Sequence, residues 1–311
     1  MGSNCVLFLN VMVARIYYAY INRYYGMSEM RHGHVRMREQ FAACILKFEG
    51  KGTVQRKYFF FDYDGTLAVP RTREIPASTQ ETLRRLREKG HFIALATGRL
   101  QINAIDFISS IGMENVVADG GYSVTIDGEL KWMDSLPLEP VKECLRILDE
   151  HRIPWAVTTA NELVRYSPYG DFAQIAGDYY VPTEYAPSLS IDGLTRVYKI
   201  YIPCKAEDEE RVRATGALDG VPHVRYNSDT IFIEPMDKQR GIMYMMDVLG
   251  VPYSEVVVFG DGYNDVSMFR PEWTSIAMGN ARDVLKERAD YITTDCDDDG
   301  IMNACKHFGW I

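Results

Sequence analysis

The sequence lacks any paired cysteine spacing. Its six cysteines, Cys5, Cys44, Cys144, Cys204, Cys296 and Cys305, are scattered with no CxxC among them. That pattern argues against a zinc ribbon and a dithiol redox centre, and it predicts reduced thiols in a cytoplasmic protein. Basic excess is missing too: 43 acidic against 34 basic side chains give a formal charge of -9. Without a basic footprint, nucleic acid is not expected as a partner. No segment repeats and none is of low complexity. The longest apolar stretch, CVLFLNVMVARIYYAYI at 5–21, is interrupted by Asn10 and Arg15 and is shorter than the ~20 residues that a spanning helix needs. It also has neither the basic start nor the small-residue cleavage site of a secretory leader, and no membrane partner is expected. We read residues 1–56 as a poorly ordered N-terminal extension without recognisable chemistry, with a docking helix or a membrane anchor as the alternatives. The pair His32 and His34 in this stretch forms HGH, for which a metal site is the minor reading, and His91, His151, His223 and His307 are assigned no role.

What is present is apolar mass in a regular rhythm. At 311 residues and 47% hydrophobic content, the chain exceeds the ~250–300 residues at which a single core stops growing, so two domains are expected. The run KYFFF from Lys57 reads as a bulky strand buried on both faces. ASTQETLRRLREKG reads as a helix, with Ser78 and Glu81 as a capping box and Gly90 as its stop. HFIALAT is a second buried strand, a helix follows from about Leu100 to Ile111, and NVVA is a third strand. Asp127-Gly128 turns a hairpin between YSVTI and ELKWM. This alternation predicts an α/β fold with a doubly wound, Rossmann-like parallel sheet. Past Pro137 the pattern changes. RVYKIYIP alternates with period two, which predicts an antiparallel strand with one wet face and places Arg196 and Lys199 in solvent. The parallel pattern resumes at KQRGIMYMMDVLG and EVVVFGDG. The expected organisation is a core of residues 57–135 and 236–311, with an α+β domain of residues 136–235 inserted into it.

Three strands end in reactive groups. YFFFDYDGTL presents Asp62 and Asp64, the second strand presents Thr97-Gly98-Arg99, and GDGYND presents Asp261, Asn264 and Asp265. Ligands of open α/β sheets bind beyond the carboxyl ends of the strands, so these sets converge on one edge. Like charges held together repel, and a buried carboxylate needs a cation or hydrogen bonds to compensate it. Asp62, Asp64 and Asp261 therefore predict a divalent cation such as Mg2+, whose octahedron a phosphate and waters would complete. Thr97 and the Gly98 amide at a helix start suit a phosphate, as does Lys238 at the start of another helix. Asp62 is the expected nucleophile, forming an aspartyl phosphate, and Asp64 the expected acid and base. Asp265 is expected to orient its neighbours, and Arg99 to cover the helix start in a solvated position.

In this order, DYDGT, TGR, Lys238 and GDGYND resemble the four motifs of the haloacid dehalogenase-like phosphohydrolases, over roughly residues 57–311. The inserted domain is similar in position to the α/β cap of the Cof-like subfamily. The resemblance implies Mg2+-dependent hydrolysis of small phosphate monoesters of the sugar phosphate, FMN or pyridoxal phosphate type, so the expected partner is a small phosphorylated metabolite. It also implies that Asp62, the Asp64 carbonyl and Asp261 hold the metal, and that Thr97, Gly98, Lys238 and Asn264 hold the phosphate. Two departures stand out. Tyr63 occupies a position that is usually apolar, and ADGG at 118–121 replaces the usual Asn-Gly-Ala, so that Asp119 adds negative charge near the cleft. A phosphotransferase such as a hexose-phosphate mutase uses the same motifs and is the alternative on this fold. A catalytically silent phosphate-binding module is the alternative outside enzymology. If residues 1–56 are a loose extension, limited proteolysis removes the first ~50 residues with no loss of activity; activity lost with that segment would contradict the assignment.

Overall fold

The computed structural model describes residues 55–177, 181–226 and 228–311. The expectations for Cys5, Cys44, His32, His34 and the rest of the extension up to residue 54 lie outside the described residues. The chain divides into two units, Met1–Gln55 and Arg56–Ile311, and the second carries everything that follows.

Its larger sheet has eight strands: β1 (Tyr58–Phe61), β2 (Phe92–Ala96), β3 (Val116–Ala118), β4 (Ser123–Ile126), β5 (Glu129–Met133), β12 (Val256–Gly260), β13 (Thr274–Ala277) and β14 (Tyr291–Ile292). Their order is β14-β13-β12-β1-β2-β3-β4-β5, parallel from β14 to β3 and antiparallel in the β3-β4-β5 edge. This is the parallel, mixed α/β core that the strand–helix rhythm predicts. β1 lies in the middle. Phe59, Phe60 and Phe61 are fully buried there, because helices on the two faces of a parallel sheet leave a central strand no wet side. Asp127 (φ 52°) and Gly128 (φ 76°) both take positive φ at the β4–β5 turn, the geometry that suits a two-residue hairpin to the twist of its strands.

Helix α1 (Ala77–Glu88) buries Leu83 and Leu86 and stops before Gly90, whose φ is +83°. Its expected capping box is not formed. The N-cap is Pro76, Ser78 falls inside the first turn with its hydroxyl unpartnered, and Glu81 pairs with Arg84 at 2.7 Å instead. Helix α2 (Gln101–Ser110) follows β2. The four cysteines among the described residues are free and buried.

Six strands form the second sheet: β6 (Ala156–Thr158), β7 (Arg165–Ser167), β8 (Thr183–Tyr185), β9 (Lys199–Pro203), β10 (His223–Val224) and β11 (Thr230–Ile233), in the order β10-β11-β9-β6-β7-β8. β9 is antiparallel to both neighbours, as expected. The wet face is a correction: Lys199 is only 3% exposed. Ile200 and Ile202 pack in the cluster under helix α3 (Leu138–Glu150), while Tyr201, on the same face as Lys199, packs with Leu100 and Phe172. Both faces of β9 are therefore covered, the second with help from the loop that follows β2.

Helix α4 (Lys238–Leu249) returns the chain to the larger sheet, and α5 (Gly300–His307) closes the fold. The first turn of α4 lies very close to the sheet. A Cβ on Gly241 would meet Val117 Cγ1 at 2.4 Å and the Gly121 carbonyl oxygen at 2.9 Å. Gly241→Ala should therefore destabilise the protein by about 1–3 kcal/mol, overriding alanine's better helix propensity. The check is the melting temperature, and a rise would show that this contact has room to give.

Candidate active site

In the centre of the larger sheet, Phe61 pairs with Leu95 on one side and Phe259 on the other. Asp62 therefore opens the loop after β1 at the level where Thr97 and Asp261 open those after β2 and β12. All three loops leave from the same edge.

Lys238, the first residue of α4, ties two of them together. Its ammonium has no solvent exposure and lies 2.5 Å from Asp62 Oδ1 and 2.6 Å from Asp265 Oδ1. Asp265 uses its other oxygen to accept the backbone N–H groups of Asp261 (3.0 Å) and Gly262 (2.9 Å). Asp261 accepts a hydrogen bond from Thr66 Oγ1 at 2.9 Å. It fits only because Gly65 has no side chain, since a Cβ there would lie 2.2 Å from Asp261 Oδ2. Asp62, Asp261 and Asp265 each offer a carboxylate oxygen within 4.8 Å of the others. The structure thus joins Asp62, Asp261, Asp265 and Lys238 and adds Thr66, which the DGT triplet contained but composition alone did not single out.

Three carboxylates share one ammonium, and the electrostatics register the excess. Burial and the nearby Asp265 carboxylate push Asp62 well above the usual carboxylate range, against the pull of Lys238. Burial and Asp265 also raise Asp261, to about 7. Burial pulls Lys238 down, but the Asp265 and Asp62 carboxylates outweigh it and hold the ammonium charged. A divalent cation among these oxygens would relieve the repulsion.

The remaining expected residues stand around this cluster. Thr97 is buried, and its hydroxyl accepts the Arg99 N–H at 3.2 Å. Gly98 turns its carbonyl to Lys199 Nζ at 3.0 Å. Asn264 lies in the helical turn Tyr263–Met268 directly after the Asp261 loop. The Asp64 side chain is 59% exposed and pairs with Arg99 at 3.3 Å. Arg99 corrects the solvated reading: only 24% exposed, its guanidinium lies 4.8 Å from the Tyr63 ring centroid and 5.9 Å from that of Phe107. The aromatic at position 63 accounts for this, because two ring faces attract the cation where an aliphatic chain would not.

Sequence reasoning missed a second polar group, beside Gly98. Lys199 and Glu234 form an ion pair at 2.5 Å, with side chains 4% and 1% exposed. Tyr226 donates its hydroxyl to Glu234 at 2.5 Å. Asp119 lies nearby, 2% exposed and at φ 48°, accepting from Ser123 Oγ (2.6 Å) and the Gln101 N–H (3.1 Å) through one oxygen while the other has no hydrogen-bond partner. Nothing in the period-two pattern distinguishes a buried lysine from a wet one.

Residues 59–305 match the family model described as haloacid dehalogenase-like hydrolase. The chain belongs to the haloacid dehalogenase-like hydrolases. YkrA of Bacillus subtilis (strain 168) is 28% identical over 255 residues, covering 81% of this chain and 98% of that one. The pyridoxal phosphate phosphatase YbhA of Escherichia coli (strain K12) is 25% identical over 266 residues, covering 77% and 94%. Among solved structures, the HAD subclass IIB sugar phosphatase BT4131 matches with a TM-score of 0.66 at 29% identity, over 82% of this chain and 100% of that one. This member is an enzyme of the phosphoric monoester hydrolase class.

Asp119 gives a measurable pH signature. Burial raises its carboxyl to about 6 from an ordinary 3.8, partly offset by the Ser123 hydrogen bond. Between those two values the folded state keeps a proton that the unfolded state has released, so this group's contribution to stability is lost as pH rises through that window. Asp119→Asn should therefore stabilise the protein at pH 7.5 by about 1–3 kcal/mol and change little at pH 4. Denaturant midpoints at the two pH values test this, and an equal shift at both would rule out the proton as the cause.

Proposed function

We propose that the chain is a Mg2+-dependent phosphatase of small phosphate monoesters that works through an aspartyl phosphate on Asp62. The observation that carries this reading is Lys238 buried between Asp62 and Asp265 with Asp261 alongside, a charged cluster at the ends of adjacent strands. Lys238 engages Asp62 Oδ1, which leaves Oδ2 to attack phosphorus. As that bond forms, the ester oxygen leaves and takes a proton from Asp64. Asp64 then accepts a proton from the water that cleaves the acyl phosphate, and Asp62 is regenerated. For both transfers the Asp64 side chain must turn from Arg99 toward the ester.

Asp62, the Asp64 carbonyl and Asp261 would hold Mg2+, which when bound neutralises phosphate charge and polarises its oxygens. Thr97, the Gly98 N–H, Lys238 and Asn264 would hold the phosphate, and Asp265 keeps Lys238 and the Asp261 loop in position. Residues 136–235 act as a cap on the core of 57–135 and 236–311, a reading supported by their own hydrophobic cluster under α3. The similarity to YbhA, a pyridoxal phosphate phosphatase, and to BT4131, a sugar phosphatase, supports a small phosphorylated metabolite as substrate. Free, buried thiols favour the cytoplasm, and no helix among the described residues is long and apolar enough to cross a membrane.

The test measures inorganic phosphate released from a panel of phosphate esters. EDTA should abolish turnover and added Mg2+ restore it, while Asp62→Asn should lower kcat by on the order of 1,000-fold or more. Substantial turnover by Asp62→Asn on the esters that the native enzyme hydrolyses would defeat the covalent mechanism.

A further inference from the structure

The group formed by Lys199, Glu234 and Tyr226 has no part in the chemistry derived above, yet it touches the loop to which the phosphate is assigned. A Cβ on Gly98 would lie 2.9 Å from Glu234 Oε1 and 2.9 Å from the Tyr226 hydroxyl. Both residues come from the second sheet: Glu234 directly follows β11, and Tyr226 lies between β10 and β11. An ester whose phosphate is held at the Gly98 amide therefore has its first carbons within reach of a carboxylate and a phenol.

Resting on the phosphatase reading, we propose that Tyr226 and Glu234 select the substrate by hydrogen-bonding a hydroxyl group on its leaving alcohol. The preferred ester is then a polyol or sugar monophosphate with no second anionic group beside the ester.

The chemistry of the pair supports this choice. Ion-paired to Lys199 and almost wholly buried, Glu234 presents a carboxylate acceptor in a medium of low dielectric. The Tyr226 hydroxyl donates to it and keeps lone pairs to accept from a substrate. A substrate hydroxyl, as donor and acceptor at once, can satisfy both partners. A carboxylate or second phosphate in the same place would face Glu234 with like charge and could accept only from Tyr226. An alkyl chain would offer neither group a hydrogen bond and would strip water from both without replacing it. The Tyr226 ring is half exposed while its hydroxyl turns inward, so the residue can shift when a ligand enters. Its proton is held tightly by burial and by the Glu234 charge, with smaller contributions from Asp62 and Asp265, so the hydroxyl lies within the field of the cluster assigned to catalysis. A purely structural role would account for the Lys199–Glu234 pair, but not for a half-exposed phenol aimed at the same carboxylate.

The experiment uses the full chain with Mg2+ and three esters of matched length: glycerol 3-phosphate, propyl phosphate and 3-phosphoglycerate. Native enzyme should favour glycerol 3-phosphate over propyl phosphate in kcat/KM by roughly 10- to 100-fold, the range of one hydrogen bond to a charged group, and should also disfavour 3-phosphoglycerate. In Tyr226→Phe and Glu234→Gln the first ratio should collapse toward unity, and Glu234→Gln should narrow the second. Tyr226→Phe decides the matter if Glu234→Gln, which deprives Lys199 of its charged partner, does not fold. A native ratio near one, or ratios in the variants within about threefold of the native value, overturns the proposal even if every ester is hydrolysed. Failure to hydrolyse these esters and p-nitrophenyl phosphate alike would instead overturn the phosphatase reading, and this proposal with it.

Discussion

The ammonium of Lys238, held between the carboxylates of Asp62 and Asp265 without access to water, is the contact around which the rest of the site is arranged. It joins the start of α4 to the loops after β1 and β12, elements more than 170 residues apart in sequence for Asp62 and Lys238. Such an interaction contributes less to net stability than its short distances suggest, because desolvating the charges offsets most of their attraction. Its effect is on geometry. With one oxygen of Asp62 engaged, the carboxylate cannot rotate freely. With one oxygen of Asp265 engaged, its partner oxygen is aimed at two amides of the Asp261 loop.

The backbone makes this crowding possible. Gly65 admits the Asp261 carboxylate, and Gly241 lets α4 settle on β3 deeply enough for its first residue to reach the acids. A cluster of three acids and one lysine also carries an unbalanced charge, and burial together with the Asp265 charge raises Asp62 and Asp261 above the usual carboxylate range. A site in this state is strained toward taking up positive charge, whereas the same acids on a wet surface would simply ionise.

How much of this is legible in the sequence depends on whether the deciding contact is local. The parallel core is readable because a central strand with both faces covered must be written as an unbroken apolar run, as YFFF is. The acids are readable because they end such runs. The residues that mislead are those whose surroundings come from elsewhere in the chain. The wet reading of Lys199 fails because Leu100 and Phe172 close the other face of β9. The solvated reading of Arg99 fails because Tyr63 and Phe107, from two other segments, supply the rings it covers. Ser78 has the spacing of a cap without being one, since the N-cap falls two positions earlier, at Pro76. Glu234 and Tyr226 carry no signal at all, because a lone acid before a proline and a lone tyrosine in a loop are ordinary residues until a glycine from the other sheet is set against them.

The buried ion pair has one further consequence, which follows from where its members are attached. Lys199 and Glu234 both belong to the second sheet, on β9 and at the end of its neighbour β11, and across the seam Lys199 donates to the neutral Gly98 carbonyl. Asp119 on the opposite bank feels the two ends of the pair with opposite sign. Parting the two sheets at this seam would break the hydrogen bonds from Lys199 to Gly98 and from Asn161 to Gln101, both between a cap-side donor and a neutral acceptor, while the Lys199–Glu234 pair would travel whole with the second sheet.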